Sequence, residues 1–182
     1  MKGVVFTEFM DMVEEKFSAE LLDQIIAASD LPNDGAYTAV GTYDHREIVR
    51  LVQALSERTG ASVPDLLRTF GGHLLTRFAT GYPQFFTGVP GVFDFLASID
   101  RHIHVEVRKL YPDAELPRFE HERPDDATMH LDYRSVRGMA DLAEGLIQGS
   151  VEHFGEPMSI ERSDQSGGKG TSVRFTLRRK TP

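Results

Sequence analysis

Apolar positions recur at helical spacing through the first two-thirds of the chain. Val5, Phe9, Met12, Val13 and Phe17 define one predicted helix. Leu21, Leu22, Ile25 and Ile26 define a second, short one after Ser18, and Leu31-Pro32-Asn33-Asp34-Gly35 reads as a turn. Asp44-His45-Arg46-Glu47 has the residues of a capping box, because Asp44 can accept from the third helical N–H while Glu47 reaches back. It opens a helix from Ile48 to Arg58 that Gly60 ends. Ser62, with Asp65 three residues on, caps the next helix, which runs to about Thr80. Tyr82-Pro83 and Gly88-Val89-Pro90-Gly91 interrupt the pattern, and one continuous helix is expected from Val92 to Leu110, stopped by Tyr111-Pro112.

The period then changes. Met129, Leu131 and Tyr133 alternate with polar residues, as a half-buried strand does. Residues 139, 142, 143, 146, 147 and 151 mark a helix from Met139 to Phe154. Met158-Ser159-Ile160 and Val173, Phe175, Leu177 read as two strands joined by Ser166-Gly167-Gly168-Lys169-Gly170. The predicted class is α+β: a helical part first, then a small antiparallel sheet with one helix.

Composition narrows the chemistry. A chain of 182 residues with 40% hydrophobic and 26% charged residues can bury a core without crosslinks. Its net charge of −8 argues against binding nucleic acid or anionic lipid. No apolar run is long enough for a membrane helix and the acidic start is unlike a signal peptide, so a cytoplasmic location is expected. Cysteine is absent, which removes thiolate nucleophiles, iron–sulfur clusters and covalent c-type haem; any metal must be held by His or carboxylate.

Gly168-Lys169-Gly170-Thr171 lacks the spacing of a phosphate-binding loop and reads as a hairpin turn. Among seven histidines, none forms an i, i+4 pair. His102 and His104 each flank the stripe Leu96, Ile99, Ile103, Val107, Leu110 by roughly 100° on a helical wheel. Periodicity leaves both open, and an ordinary half-buried side chain is the usual state of a lone histidine. Asp100 and Glu106 read as solvated helix faces. If 133–137 is extended, Tyr133, Ser135 and Arg137 share one face, and two hydroxyls with a guanidinium suit a carboxylate or phosphate. A solvated strand end with Arg137 in a surface ion pair fits the same residues.

Ile99 to Val107 with His104, then Tyr111-Pro112, then Tyr133-x-Ser135-x-Arg137, resembles the H-NOX (haem nitric oxide/oxygen-binding) family, related to the haem domain of soluble guanylate cyclase. Met1-Lys2-Gly3, Val40-Gly41-Thr42-Tyr43, Tyr82-Pro83-Gln84-Phe85-Phe86 and Leu116-Pro117 also fit its bacterial members. The resemblance implies a single domain over residues 1–182, with a helical part of about residues 1–60, a haem-ligating part of about 61–182 that holds a four-stranded antiparallel sheet and helices, and a non-covalent haem b between the two parts. It makes His104, seven residues before Tyr111, the iron ligand. It assigns Tyr133, Ser135 and Arg137 to the haem propionates and Pro117 to pressing on the porphyrin. Val5, Phe9, Leu74, Phe78, Leu142 and Leu146 match the distal lining, with Leu142 where oxygen-binding members carry a tyrosine. Bound O₂ needs a donor that this apolar set lacks, whereas NO and CO depend on one much less. His73 is the rival donor, expected to point elsewhere from its place beside Leu74.

The resemblance thus implies a non-enzymatic sensor of NO and CO that excludes O₂. Breaking of the iron–His104 bond would be its signal, passed in trans to a partner such as a histidine kinase or a cyclic-di-GMP enzyme. The competing readings are a haem-free helical interaction module and, further off, a haem enzyme, which would need a distal acid–base residue.

Overall fold

The computed structural model describes residues 1–180. Helix α1 (Gly3–Lys16) buries Phe6, Phe9, Met12 and Val13; Val5 is half-buried beside them, and Phe17, just past the end, is largely exposed. Ser18 caps α2 (Ala19–Ala28) by accepting from the Leu21 N–H at 3.1 Å. The capping box at Asp44 and Glu47 opens α3 (His45–Thr59), and Gly60, at φ +74°, ends it in a left-handed conformation that a Cβ disfavours. Ser62 caps α4 (Val63–Gly81) by accepting from the Asp65 N–H at 3.2 Å. These four starts and stops lie within a few residues of where the sequence puts them.

The predicted helix from Val92 to Leu110 is not continuous. It is α5 (Val92–Ser98), a π-helical segment (Ile99–Ile103) and α6 (His104–Leu110). In the π segment the His104 N–H donates to the Ile99 carbonyl, five residues back. The extra residue turns everything after it relative to α5, so a single helical wheel cannot describe both halves.

The sheet is four-stranded, antiparallel throughout, in the order β1-β2-β4-β3, from β1 (Arg118–Glu122), β2 (Thr128–Arg134), β3 (Met158–Asp164) and β4 (Ser172–Arg179). The 166–170 glycine run is the β3–β4 turn. β1 is the strand that alternation does not predict: its edge position buries none of its residues, so it has no apolar period to read. β2 and β4 bury Met129, Leu131, Tyr133, Val173, Phe175 and Leu177 under α7 (Ala140–Phe154).

Two apolar clusters result. One joins α1, α2, α3 and much of α4 with Met139 and Leu142. The other joins the sheet, α5 and α7 with Leu75 of α4. Leu146 packs against both. Helices α4 and α7 touch closely through glycines: a Cβ on Gly145 would lie 2.1 Å from the Arg68 carbonyl oxygen.

Candidate functional site

The π segment breaks the tie between the two histidines. His104 is 9% exposed, whereas His102 is on the surface with its ring edge-on to Phe85 at 5.8 Å. His104 Nδ1 lies 2.7 Å from Asp100 Oδ1, and its ring is 6.0 Å from that of Phe119, which in turn lies 5.5 Å from Tyr133. Asp100 is thus a partner of His104 and not the solvated residue expected; only Glu106, paired with Lys109 at 2.7 Å, matches that reading. The clue available in the sequence was the i, i+4 spacing of Asp100 and His104. Phe119 carried no such clue, because β1 was not evident.

Burial holds the His104 ring below the ordinary histidine range, and Asp100 pulls the other way without overcoming it. A neutral ring donating Nδ1–H to a carboxylate keeps the Nε2 lone pair for another acceptor. Nε2 has no hydrogen bond among the described residues. That state is what a metal requires of imidazole.

The Tyr133–Arg137 stretch departs from the extended form. β2 ends at Arg134, and 136–137 form a turn. The Ser135 N–H is taken by the Thr171 carbonyl at 2.9 Å, its hydroxyl accepts from the Arg137 N–H at 3.3 Å, and Gly138 follows at φ +63°. Local hydrogen bonding by Ser135 therefore competes with, and beats, continuation of the strand. Tyr133 stays inside, where burial pushes its phenol up and keeps it a neutral donor. Arg137 is 12% exposed at the side chain and donates to the Glu115 carbonyl at 2.8 Å and its carboxylate at 3.0 Å. Glu115 is 80% exposed, so this pair is one that a competing carboxylate can replace at small cost. Ser135 and Arg137 line one open groove with Leu116 and Arg108; Pro117, half-buried, leads from Leu116 into β1.

Val5, Phe9, Leu74, Phe78, Leu142 and Leu146 all meet in the first cluster. Phe9 is fully buried, edge-on to Phe70 at 5.2 Å. None of the six bears a donor. Tyr37 and Tyr43, which pack on the same cluster, have their hydroxyls engaged elsewhere: Tyr37 donates to Glu47 at 2.8 Å, and Tyr43 accepts from the Thr38 N–H at 2.9 Å with the Thr38 hydroxyl 3.3 Å away. His73, 9% exposed at the side chain, lies between Glu8 and Glu15, with its two ring nitrogens 3.9 Å from their carboxylates. The two halves of the site meet through Leu146: Ile99 and Ile103, from the segment that leads into His104, pack on the second cluster with it.

These residues fit a haem. Among the described residues no three His, Cys, Asp or Glu side chains gather to hold a metal. A lone buried imidazole suits a metal whose other positions a macrocycle fills, apolar side chains suit its faces, and an arginine with hydroxyl neighbours suits its carboxylates.

Comparison with known proteins agrees. The family model described as Haem-NO-binding matches residues 2–162. The unliganded Fe(II) H-NOX protein from K. algicida is 40% identical and superposes with a TM-score of 0.93, covering 100% of this chain and 98% of that one. The Shewanella woodyi H-NOX, solved with IWP-051 in the Fe(II)CO state, is 41% identical with a TM-score of 0.84, covering 99% and 95%. Soluble guanylate cyclase 89Db of Drosophila melanogaster is 26% identical over 97% of this chain. The chain spans only about a quarter of the length of the curated relatives it matches, 27% and 22%. No described helix is long and apolar enough to cross a membrane. With the family model covering most of its length and the fold shared end to end, this chain belongs to the haem-NO-binding, or H-NOX, family.

Proposed function

We propose that this chain is a haem-based sensor that binds NO and CO, holds O₂ poorly, and reports to a partner protein. The observation that carries the reading is the buried, neutral His104, with Nδ1 anchored on Asp100 and Nε2 left over. His104 would hold the iron, and Arg137, Ser135 and Tyr133 the propionates. Haem held by these residues would supply an iron centre able to take diatomic gases.

The other steps belong to the protein. Leu142 and its five apolar companions shield the ligand from water and offer it no hydrogen bond. A hydrogen bond to a charged group is worth about 1.5–3 kcal/mol, or roughly ten- to a hundred-fold in affinity, and O₂, which depends on such a donor more than NO or CO, would find none among these side chains. A haem peroxidase would need an acid–base group there; the six apolar side chains supply none, and the His73 ring sits between the carboxylates of Glu8 and Glu15.

His104 stands where the π segment meets α6, so a change in the force on its ring acts on a joint in the backbone. A loosened His104 frees α6 to shift against the sheet. The end of α6 carries Leu110, which is 70% exposed, and the nearby propionate motif carries Val136, 90% exposed; such side chains suit a partner that binds the two states differently. A histidine kinase or a cyclic-di-GMP enzyme fits that role by family resemblance.

His104→Gly tests the reading. Added imidazole should restore the haem spectrum of the variant but leave the protein without its NO-dependent conformational change. A variant that keeps that change with no imidazole present would contradict it.

A further inference from the structure

We propose that Asp100 is a positioning residue that sets how firmly His104 holds the iron, and with it the threshold of the NO response. The inference rests on the haem reading above and concerns a residue that this reading does not need. Asp100 Oδ1 and His104 Nδ1 are 2.7 Å apart, and the two side chains are 25% and 11% exposed. The pair is therefore largely out of water, where a charge-assisted hydrogen bond keeps most of its strength. The backbone between them is the wide π turn closed by the His104 N–H on the Ile99 carbonyl. This contact thus lies inside the irregular segment and not along a regular helix.

The chemistry follows from the proton. An imidazole that donates Nδ1–H to a carboxylate gains electron density on the ring, and Nε2 becomes a stronger σ-donor. A carboxylate does this more than a neutral acceptor, because its charge favours movement of the Nδ1 proton toward it. Such outer partners both fix the tautomer and raise ligand basicity, and losing one costs about ten- to a hundred-fold in metal affinity. Among the charges acting on His104, Arg108 opposes Asp100, but only Asp100 is hydrogen-bonded to the ring. Asp100 therefore works against release of His104. In this protein NO must overcome a ligand reinforced by a carboxylate, so the switch is set to a high threshold.

Asp100→Asn keeps the shape and an acceptor oxygen while removing the charge, and Asp100→Glu keeps the charge. In the haem-loaded full chain, the iron–histidine stretch of the ferrous form should move to lower frequency in Asp100→Asn. The ratio of His104-bound to His104-free protein after NO addition should fall about tenfold or more. Asp100→Glu should recover most of both values. An unmoved stretch and an unchanged ratio in Asp100→Asn, at wild-type haem content and with a wild-type NO response, would overturn this assignment alone. Wild-type protein that takes up no haem would overturn the sensor reading and this assignment together.

Discussion

Two opposed effects meet at the His104 ring: burial disfavours its charged form and Asp100 favours it, with burial the larger. Periodicity could not have chosen this residue over His102, since the wheel gave them equal places. What separates them is a π turn, a feature set by tertiary packing and not by local propensity. Leu142 was marked as a distal candidate only by resemblance, and the structure adds that it packs in the first apolar cluster with the other five candidates. Leu142→Tyr should therefore raise O₂ affinity by about ten- to a hundred-fold and give an oxy spectrum in air. A variant that binds haem and CO normally, yet shows no oxy form under oxygen, would contradict the assigned place of residue 142. His73 makes a separate prediction. Burial lowers it from the ordinary 6.5, Glu15 and Glu8 raise it, and Arg77 and Lys16 lower it further. The unfolded chain then binds the extra proton first as pH falls, so stability present above the ordinary value is lost as pH falls through the lowered one. In His73→Gln, the decline of Tm between about pH 7.5 and pH 5.5 should be shallower than in the wild type. His104 is shifted the same way, so some decline should persist.

Helices were the most readable elements, because their signals are local. Ser18, Asp44 with Glu47, Gly60 and Ser62 each do at the helix end what their chemistry suggests. β1 was unreadable for the opposite reason. It pairs only with β2, faces solvent on one edge, and owes its existence to the register that sets Phe119 opposite Tyr133. The Tyr133–Arg137 stretch misled because an alternating pattern cannot show that Ser135 will turn its own backbone. The α4–α7 contact gives a prediction at this scale. Alanine would ordinarily favour a helix over glycine by about 1 kcal/mol. At Gly145 the added methyl would meet a backbone carbonyl at 2.1 Å, and backbone cannot swing aside. Gly145→Ala should thus destabilise the protein by about 1–3 kcal/mol in denaturant unfolding. An unchanged or higher midpoint would mean that the two helices can separate freely.

Over the whole molecule, the division into a mainly helical cluster and a sheet cluster places each half of the site in its own core. The apolar lining belongs to the first, and Tyr133 and the segment leading into His104 to the second. Leu146, packed on both, is where they join. That arrangement was visible in the sequence only as a change of period near residue 129; the joining of the two cores by α4 and α7 is long-range and left no local mark. A net charge of −8 argues against attraction to nucleic acid. The visible absorption spectrum of the ferrous, haem-supplied protein tests the central claim most directly. A haem band should appear that shifts on adding NO or CO, does not shift in air, and is lost in His104→Gly until imidazole is supplied. No haem band after haem supply, or a stable oxy spectrum in the unaltered protein, would contradict it.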